Sequence, residues 1–511
     1  MSDAHSARAA VRAVASGFTE LEEPPAAGTE RGAEYGTTYG AEYGAEPDGP
    51  LGWPGYGAAR ERARERTGES ESVVCGTARV GGPDTDRGPG SGEGPEAVLV
   101  SFEFGYLGGS LGARTGDRIA AAYAHARTHR LPLVSLIATG GSRMQEGMVA
   151  LSQLQRVARE SVLTRRAGVP QIAVLRDPAT GGGWATLGAA ADVVLALPGA
   201  QVAFAGSRVR PGNADAAAYT AEGQYAAGHI DRIVEPPQLG AALERWITLL
   251  TGASGSPAPP PLALPAGPGP GSPPALPAGL LPPDAVRGER ESVPRSGQEA
   301  VARARAARRP RAAAYLDGYF DWREEIRGDR CGGVDGTGML CGFGRRESEG
   351  RTVAYAAQTG TATRPAGFRT AARLIRTADR LGIPVLTLID TPGAANDAEA
   401  ENAGAGPAIA EVFTAVAEAT VPVTSLLIGE GGSGGALALA APGRLWVTPD
   451  SYFSVIAPEL AAAILKRPEE ERAATADQLM LRPQDVVRLG IARAVVGVRD
   501  GGGGAARSDA A

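Results

Sequence analysis

The sequence predicts an α/β chain made of two copies of one strand–turn–helix module, separated by a proline-rich linker. Three observations carry that reading. Ile428 to Ala440 reads IGEGGSGGALALA, a glycine cluster between a β-branched run over 421–428 and an alanine-rich run from Ala436. That is the pattern of a strand, a tight turn and a helix start. The layout also occurs earlier in the chain. RLPLVSLIATGGSR around Pro132 aligns with LGIPVLTLIDTPGA around Pro384, and VPQIAVLRDPATGGG at Pro170 with VPVTSLLIGEGGSGG at Pro422, the segments lying 38 residues apart in both copies. Between the copies, residues 251–297 are dense in proline and glycine, a composition that stiffens a segment and separates folding units.

The repeat points to chemistry as well as architecture. In its register Gly141 and Ser142 match Gly393 and Ala394, while Gly182 and Gly183 match Gly434 and Gly435. Amides at the first turn of a helix, here those of Gly434, Gly435 and Ala436, have no intrahelical acceptor and sit at the positive end of the dipole. Glycine lets a ligand oxygen approach the main chain closely. Two such turns aimed at one oxygen make an oxyanion hole. Tight helix–strand packing would also use glycines, but it does not demand them after both strands of both copies.

In chain order, 1–48 is polar, with EYGTTYGAEYGAE inside it, and is expected to be a disordered tail. The first domain is placed at 53–250. It opens with a charged helix (WPGYGAARERARERTG) and two strands (ARVGG and AVLVSFEF), with the turn-rich PDTDRGPGSGEGPE between them. A helix follows with Asp117 near its start and His125 and His129 four apart, read as a solvated face because no third metal ligand is near. The next helix is placed from about Arg143, with Glu146 in its first turn as a complement to the helix dipole or as a general base, the former favoured. The second domain is placed at 298–496. It carries the arginine-rich helix TATRPAGFRTAARLIRTADRLGIP, on which Arg364, Arg369 and Arg373 read equally as polyphosphate ligands or as a solvated face. The tail 497–511 is again polar and glycine-rich.

Composition narrows the function classes. At 511 residues the chain exceeds one core. A net charge of −6 offers no basic field for nucleic acid. Three scattered cysteines suit a reducing cytoplasm. The start MSDAHSARAA lacks a signal-like apolar core, and no stretch of about 18 apolar residues suggests a membrane span. GxSxG occurs twice, around Ser110 and Ser433. No histidine follows His229, so Ser433 has no partner in hydrolase order; Ser110 has the order but no other support. No phosphate-loop or dinucleotide fingerprint is present.

On RERARERTG, FEFGYLGGSLG, TGGSRMQEG, DPATGG and VAFAGSRV the first half resembles the β subunit of the carboxyltransferase of bacterial acetyl-CoA carboxylase. On RPAGFRTAARL, IDTPGA, IGEGGSGGALALA and SVIAPE the second half resembles its α subunit. The resemblance implies two crotonase (ClpP-like) spiral domains of repeated ββα units, and carboxyl transfer from carboxybiotin on a carrier protein to acetyl-CoA, giving malonyl-CoA. It assigns Gly141, Ser142, Gly182 and Gly183 to the acyl-CoA enolate, and Gly393, Ala394, Gly434, Gly435 and Ala436 to the biotin oxygen. The cofactor-binding set is Gly108, Gly109, Arg143, Arg364 and Arg369. Biotin carboxylase and biotin carboxyl carrier protein are expected as separate partners, within a homo-oligomer whose β-type and α-type domains face each other across subunits. No cofactor is expected to be held permanently.

Two departures stand out. The family's four-cysteine zinc ribbon is replaced by the tyrosine-rich tail, so no zinc and no nucleic-acid binding is expected. After IDTPGA the chain reads AND and AEAENAGAGPAIAE in place of the usual continuation. A non-catalytic scaffold and a malonyl-group decarboxylase are the alternatives.

Overall fold

The structure is a computed structural model that describes residues 6–24, 48–81, 94–264 and 293–497. The chain divides into two compact units, one of Met1–Ala253 with Ile326–Val334 and Arg380–Gly382, the other of Ser254–Glu325 with Asp335–Asp379 and Ile383–Ala511.

The first unit runs α1 (Ala7–Val14), β1 (Ala15–Glu20), α2 (Tyr56–Thr67), β2 (Val73–Val80), β3 (Glu96–Phe102), α3 (Ala113–His129), β4 (Leu133–Thr139), α4 (Gly147–Arg166), β5 (Gln171–Thr180), the single turn α5 (Gly181–Gly183), β6 (Val193–Ala196), β7 (Val202–Ala203), α6 (Ala221–Ala226), β8 (Arg232–Ile233) and α7 (Leu239–Leu250). Its sheet has the order β1-β2-β3-β4-β5-β6-β8, with β7 added beside β5. β1 to β3 are antiparallel neighbours and the pairs from β3 onward are parallel. Parallel neighbours need a crossover, and α3 and α4 supply it. The central strands β4 and β5 are nearly continuous apolar runs because both faces are covered, and Ile137, Ala173 and Leu175 are buried in the core with Ile119 and Val157 from the crossover helices.

The second unit runs α8 (Gly297–Ala304), α9 (Ala312–Tyr319), β9 (Trp322–Glu325), β10 (Met339–Arg346), β11 (Arg351–Gln358), α10 (Pro365–Leu381), β12 (Val385–Thr391), α11 (Ala398–Asn402), α12 (Ala405–Glu418), β13 (Val423–Gly432), α13 (Ser433–Leu437), β14 (Leu445–Val447), β15 (Tyr452–Ser454), α14 (Pro458–Ile464), α15 (Arg472–Gln478) and α16 (Pro483–Arg488). Its sheet order is β14-β13-β12-β11-β10-β9, with β15 beside β13. The repeat read in the sequence is a repeat of register. Leu133 pairs with Gln171 and Val385 with Val423, and each pair of strands is interrupted at the same place, between Ile137 and Thr139 and between Ile389 and Thr391.

Several sequence expectations are corrected. Part of the supposed tail is ordered: Ser6 caps α1 through its side chain, Ala7, Val11 and Val14 are buried, and β1 extends the first sheet. An i, i+4, i+7 apolar stripe suffices for this despite the polar composition downstream. The tyrosine repeat, most of PDTDRGPGSGEGPE and residues 498–511 lie outside the described residues. At the linker, Ala258 is buried in the second unit's core, and the carbonyls of Ala258 and Pro259 accept from Thr424 Oγ1 at 2.8 Å and Tyr319 OH at 3.0 Å. Prolines have no N–H to satisfy, so APPPLAL can lie against a sheet at little polar cost. Residues 265–292 lie outside the described residues. Finally, β13 continues through the glycines to Gly432, and the helix after it is short. Among the described residues no helix is long and apolar enough to cross a membrane.

Candidate active site

In the first unit the two glycine turns meet. Thr139 Oγ1, fully buried, accepts from the amide of Gly141 at 3.1 Å. Gly141 has φ +111°, a conformation that favours glycine. Leu111 pairs with Ser142 in an isolated parallel bridge: the Leu111 amide donates to the Gly141 carbonyl at 2.8 Å, and the Arg143 amide donates to the Leu111 carbonyl at 2.9 Å. These bonds leave the half-buried Ser142 amide without an acceptor among the described residues. A Cβ built on Gly141 would lie 3.6 Å from Gly181 Cα and 4.0 Å from the Gly182 nitrogen, which places the second turn directly against the first. The first-turn amides of Gly182 and Gly183 have no intrahelical acceptor.

The second unit repeats the construction. Thr391 Oγ1 accepts from the Gly393 amide at 3.1 Å, Gly393 has φ +146°, and Thr363 pairs with Ala394. The Ala395 amide donates to the Thr363 carbonyl at 2.9 Å, and the Ala394 amide is left without an acceptor among the described residues. A Cβ on Gly435 would fall 2.6 Å from the Ala394 nitrogen, so only glycine permits this approach. The α13 amides of Gly434, Gly435 and Ala436 stand at its first turn. Ser433 has φ +58° where the first unit has Gly181 at φ +65°, a left-handed residue at the same point of both copies. Glycine adopts that conformation freely and serine at a cost.

The supports differ. In the second unit Asp390, fully buried, accepts two bonds from Arg309 Nη2 at 2.9 and 2.8 Å and one from Arg311 at 3.1 Å. Arg309 also donates to the Ile428 carbonyl at 2.6 Å, tying together the ends of the two strands that carry the turns. In the first unit the support is Arg143. It is buried, bonded to Glu71 through both terminal nitrogens at 2.7 Å and to Glu146 at 3.2 Å, and donates to the Ser110 carbonyl at 2.8 Å. Burial pushes the Glu71 carboxyl up, but the charge and hydrogen bonds of Arg143 outweigh it and hold the group at about 2.

Arg143 therefore does not face a ligand; its guanidinium is consumed in an internal ion cluster, which corrects its place in the cofactor-binding set. Glu146 is likewise spoken for. It accepts from Tyr56 OH and from the Ala113 amide, both at 2.6 Å, and so complements the N-terminus of α3 rather than of its own helix, which starts only at Gly147. Gly108 and Gly109 buttress the first turn: the Gly140 amide donates to the Gly108 carbonyl at 2.9 Å, and a Cβ on Gly109 would lie 2.1 Å from the Ala138 carbonyl oxygen. Arg364 pairs with Asp397 at 3.1 Å and Glu399 at 3.5 Å, and Arg369 donates to the Ala403 carbonyl at 2.9 Å. The departing segment after Ala394 thus occupies both arginines, while Asp397 caps α11 through the Ala400 amide. His125 and His129 stack with ring centroids 4.0 Å apart. Cys75 and Cys341 are buried thiols, and burial pushes Cys75 up to about 12, the opposite of what a thiolate metal ligand needs.

Thr139, Thr391, Asp390, Arg309 and Glu71 were not among the sequence candidates. The two threonines had a signal, since they occupy the same place in the two aligned copies. The ion pairs had none, because their partners are distant in sequence.

Both halves of the chain resemble known proteins. Residues 295–511 match the family described as acetyl co-enzyme A carboxylase carboxyltransferase-like, and residues 86–231 match the carboxyl transferase domain. A relative from Saccharopolyspora erythraea, named acetyl-coenzyme A carboxylase carboxyl transferase subunits beta/alpha, is 34% identical over 459 residues, covering 86% of this chain and 74% of its own. One of the same name from Salinispora arenicola is 38% identical over 457 residues, covering 85% and 74%. Among solved structures, the transcarboxylase 12S hexamer superposes with a TM-score of 0.66 at 19% identity, over 96% of this chain and 86% of that one. That likeness bears out the expected architecture of two crotonase-type domains.

Proposed function

The chain belongs to the fused β/α carboxyltransferase family of acetyl-coenzyme A carboxylases, and on that premise we propose that it moves the carboxyl group of carboxybiotin, presented by a biotin carboxyl carrier protein, onto acetyl-CoA to give malonyl-CoA. It is a biotin-dependent carboxyltransferase by family. The acceptor and the partners are our reading.

The reaction generates negative charge twice. Loss of the carboxyl group leaves negative charge shared by the ureido nitrogen and oxygen. That nitrogen takes the proton of the thioester's α-carbon, whose charge moves onto the carbonyl oxygen, and the α-carbon of this enolate then bonds the released carboxyl carbon. Carboxybiotin supplies the group that is transferred. The amides of Ser142, Gly182 and Gly183 hold the thioester oxygen and stabilise it as it becomes an enolate. The amides of Ala394, Gly434, Gly435 and Ala436 hold the ureido oxygen. Main-chain donors fixed before reaction need no reorganisation, and one such donor contributes roughly 3–4 kcal/mol.

The observation that carries the reading is the duplicated pair of turns, in each of which a buried threonine accepts from the amide of Gly141 or Gly393 and the next amide, of Ser142 or Ala394, is unengaged among the described residues. The same observation favours catalysis over a scaffold role, because the turn at Ala394 keeps its bonds despite the altered segment beyond it. We further propose a cytoplasmic homo-oligomer working with a separate biotin carboxylase, without zinc and without nucleic acid, and with its product feeding fatty acid or polyketide synthesis. A carboxylation assay with acetyl-, propionyl- and butyryl-CoA against one carboxylated carrier protein tests the reading. Carboxylation of acetyl-CoA is expected, and no carboxylation of any of the three by folded protein would overturn it.

A further inference from the structure

Gln358, the last residue of β11, is fully buried. Its Nε2 donates to the Gly435 carbonyl at 2.9 Å and to Thr363 Oγ1 at 3.3 Å. Gly435 belongs to one donor turn of the second unit. Thr363 is the residue paired through its backbone with Ala394 in the other. One carboxamide NH2 group therefore spans the two turns. Its orientation is fixed by chemistry, since a carbonyl only accepts and must face the NH2 side. The Oε1 of the same side chain has no partner among the described residues. A buried acceptor left unmatched is costly, so a glutamine at this place needs a reason beyond packing.

The peptide unit supplies the reason. The Gly435 carbonyl and the Ala436 N–H share one planar trans peptide and point in opposite directions. Holding that carbonyl against Gln358 turns the Ala436 N–H away from it, and the bond to Thr363 fixes how far this peptide sits from Ala394. We infer that Gln358 is a positioning residue that sets the separation and aim of the two donor turns of the second unit. The inference rests on reading those turns as the ureido-oxygen site. At the matching place in strand register, the end of β3, the first unit has Phe102, whose side chain has no N–H to donate, so the clasp belongs to one half only.

Gln358→Leu on the full chain tests this, with Gln358→Glu as a second variant and Thr352→Val as a control. Thr352 is another buried residue of β11 with an unpartnered hydroxyl, remote in sequence from both turns. Amide hydrogen exchange followed by mass spectrometry reads the clasp without any activity. Peptides covering 391–396 and 432–438 are expected to exchange faster in Gln358→Leu, with the rest of the second unit and the melting temperature little changed. Misplacing donors by about 1 Å costs roughly a hundredfold in rate, so kcat is expected to fall by about that factor while KM for acetyl-CoA stays within about twofold. In Gln358→Glu only the protonated carboxyl can donate to Gly435, so its kcat is expected to rise toward acid pH relative to the parent protein. Unchanged exchange in both turns of a folded variant would overturn the inference, and so would faster exchange spread over the whole unit. Absence of carboxyl transfer in the parent protein would overturn the proposed function instead, while the exchange readout still decides whether the clasp exists.

Discussion

Adding one methyl group at Gly435 challenges the site most sharply. In Gly435→Ala the new Cβ falls 2.6 Å from the Ala394 nitrogen and 3.1 Å from Ala394 Cβ, and neither neighbour is a flexible side-chain end. Relief to an ordinary contact near 3.5 Å needs the turns to part by roughly 0.5–1 Å, an overpacking strain of about 1–3 kcal/mol. The chemical penalty is larger, because the amides that must share one oxygen move apart, and loss of one such donor costs about 100- to 1,000-fold in kcat. The assay is steady-state carboxylation of acetyl-CoA, with melting temperature as the check on folding. Gly406→Ala is the companion variant: Gly406 lies in α12, and a Cβ there meets nothing within 4 Å. It is expected to retain full activity and to gain up to about 1 kcal/mol of helix stability. A folded Gly435→Ala protein with the parent kcat would refute the claim that close approach of the two turns makes the site.

Other outcomes follow from the supports. Arg143→Met leaves Glu71 and Glu146 buried without their cation, and a loss of about 3–5 kcal/mol is expected in urea titration; a stable variant with a raised KM for acetyl-CoA would restore Arg143 as a ligand residue. The Glu71 carboxyl is depressed from 4.5 to about 2, so the unfolded chain binds more protons in that window and stability falls as pH drops from about 4.5 to about 2. That loss is on the order of 3 kcal/mol, and Glu71→Gln is expected to flatten this part of a plot of urea midpoint against pH. Ser433→Gly relieves a left-handed serine, worth about 1–2 kcal/mol, against about 0.5–1 kcal/mol of added chain entropy, so its urea midpoint is expected to rise slightly; a lower midpoint would show that the Ser433 side chain contributes stability of its own.

What the sequence revealed and what it hid divide along physical lines. The two modules were legible because β4, β5, β12 and β13 are buried on both faces and read as apolar runs, each closed by glycines at the same offset. Gly141 and Gly393 were legible for a stronger reason: each combines a left-handed backbone with a neighbouring turn at van der Waals distance, and few residues meet both demands. Charged residues were misread because sequence does not show which way a long side chain turns. Arg143 and Arg364 look alike as arginines beside glycine turns, yet one is fully buried against Glu71 and the other meets Asp397 and Glu399 at the surface. Helix α1 was hidden by composition averaged over too long a window, although Ser6, Ala7, Val11 and Val14 carried the cap and the stripe.

The proposed function requires main-chain amides in each of the two units to stabilise one of the two charges that carboxyl transfer creates. Transfer of a labelled carboxyl group from malonyl-CoA to free biotin, measured on the parent protein, on Gly183→Ala and on Gly435→Ala, tests it directly. Cβ atoms at these positions meet Thr139 Cγ2 at 2.4 Å and the Ala394 nitrogen at 2.6 Å. The parent protein is predicted to label biotin, and each variant, damaged in a different unit, to lose at least about 99% of that rate. Folded parent protein that labels no biotin, or label transfer that survives either substitution undiminished, would contradict the claim.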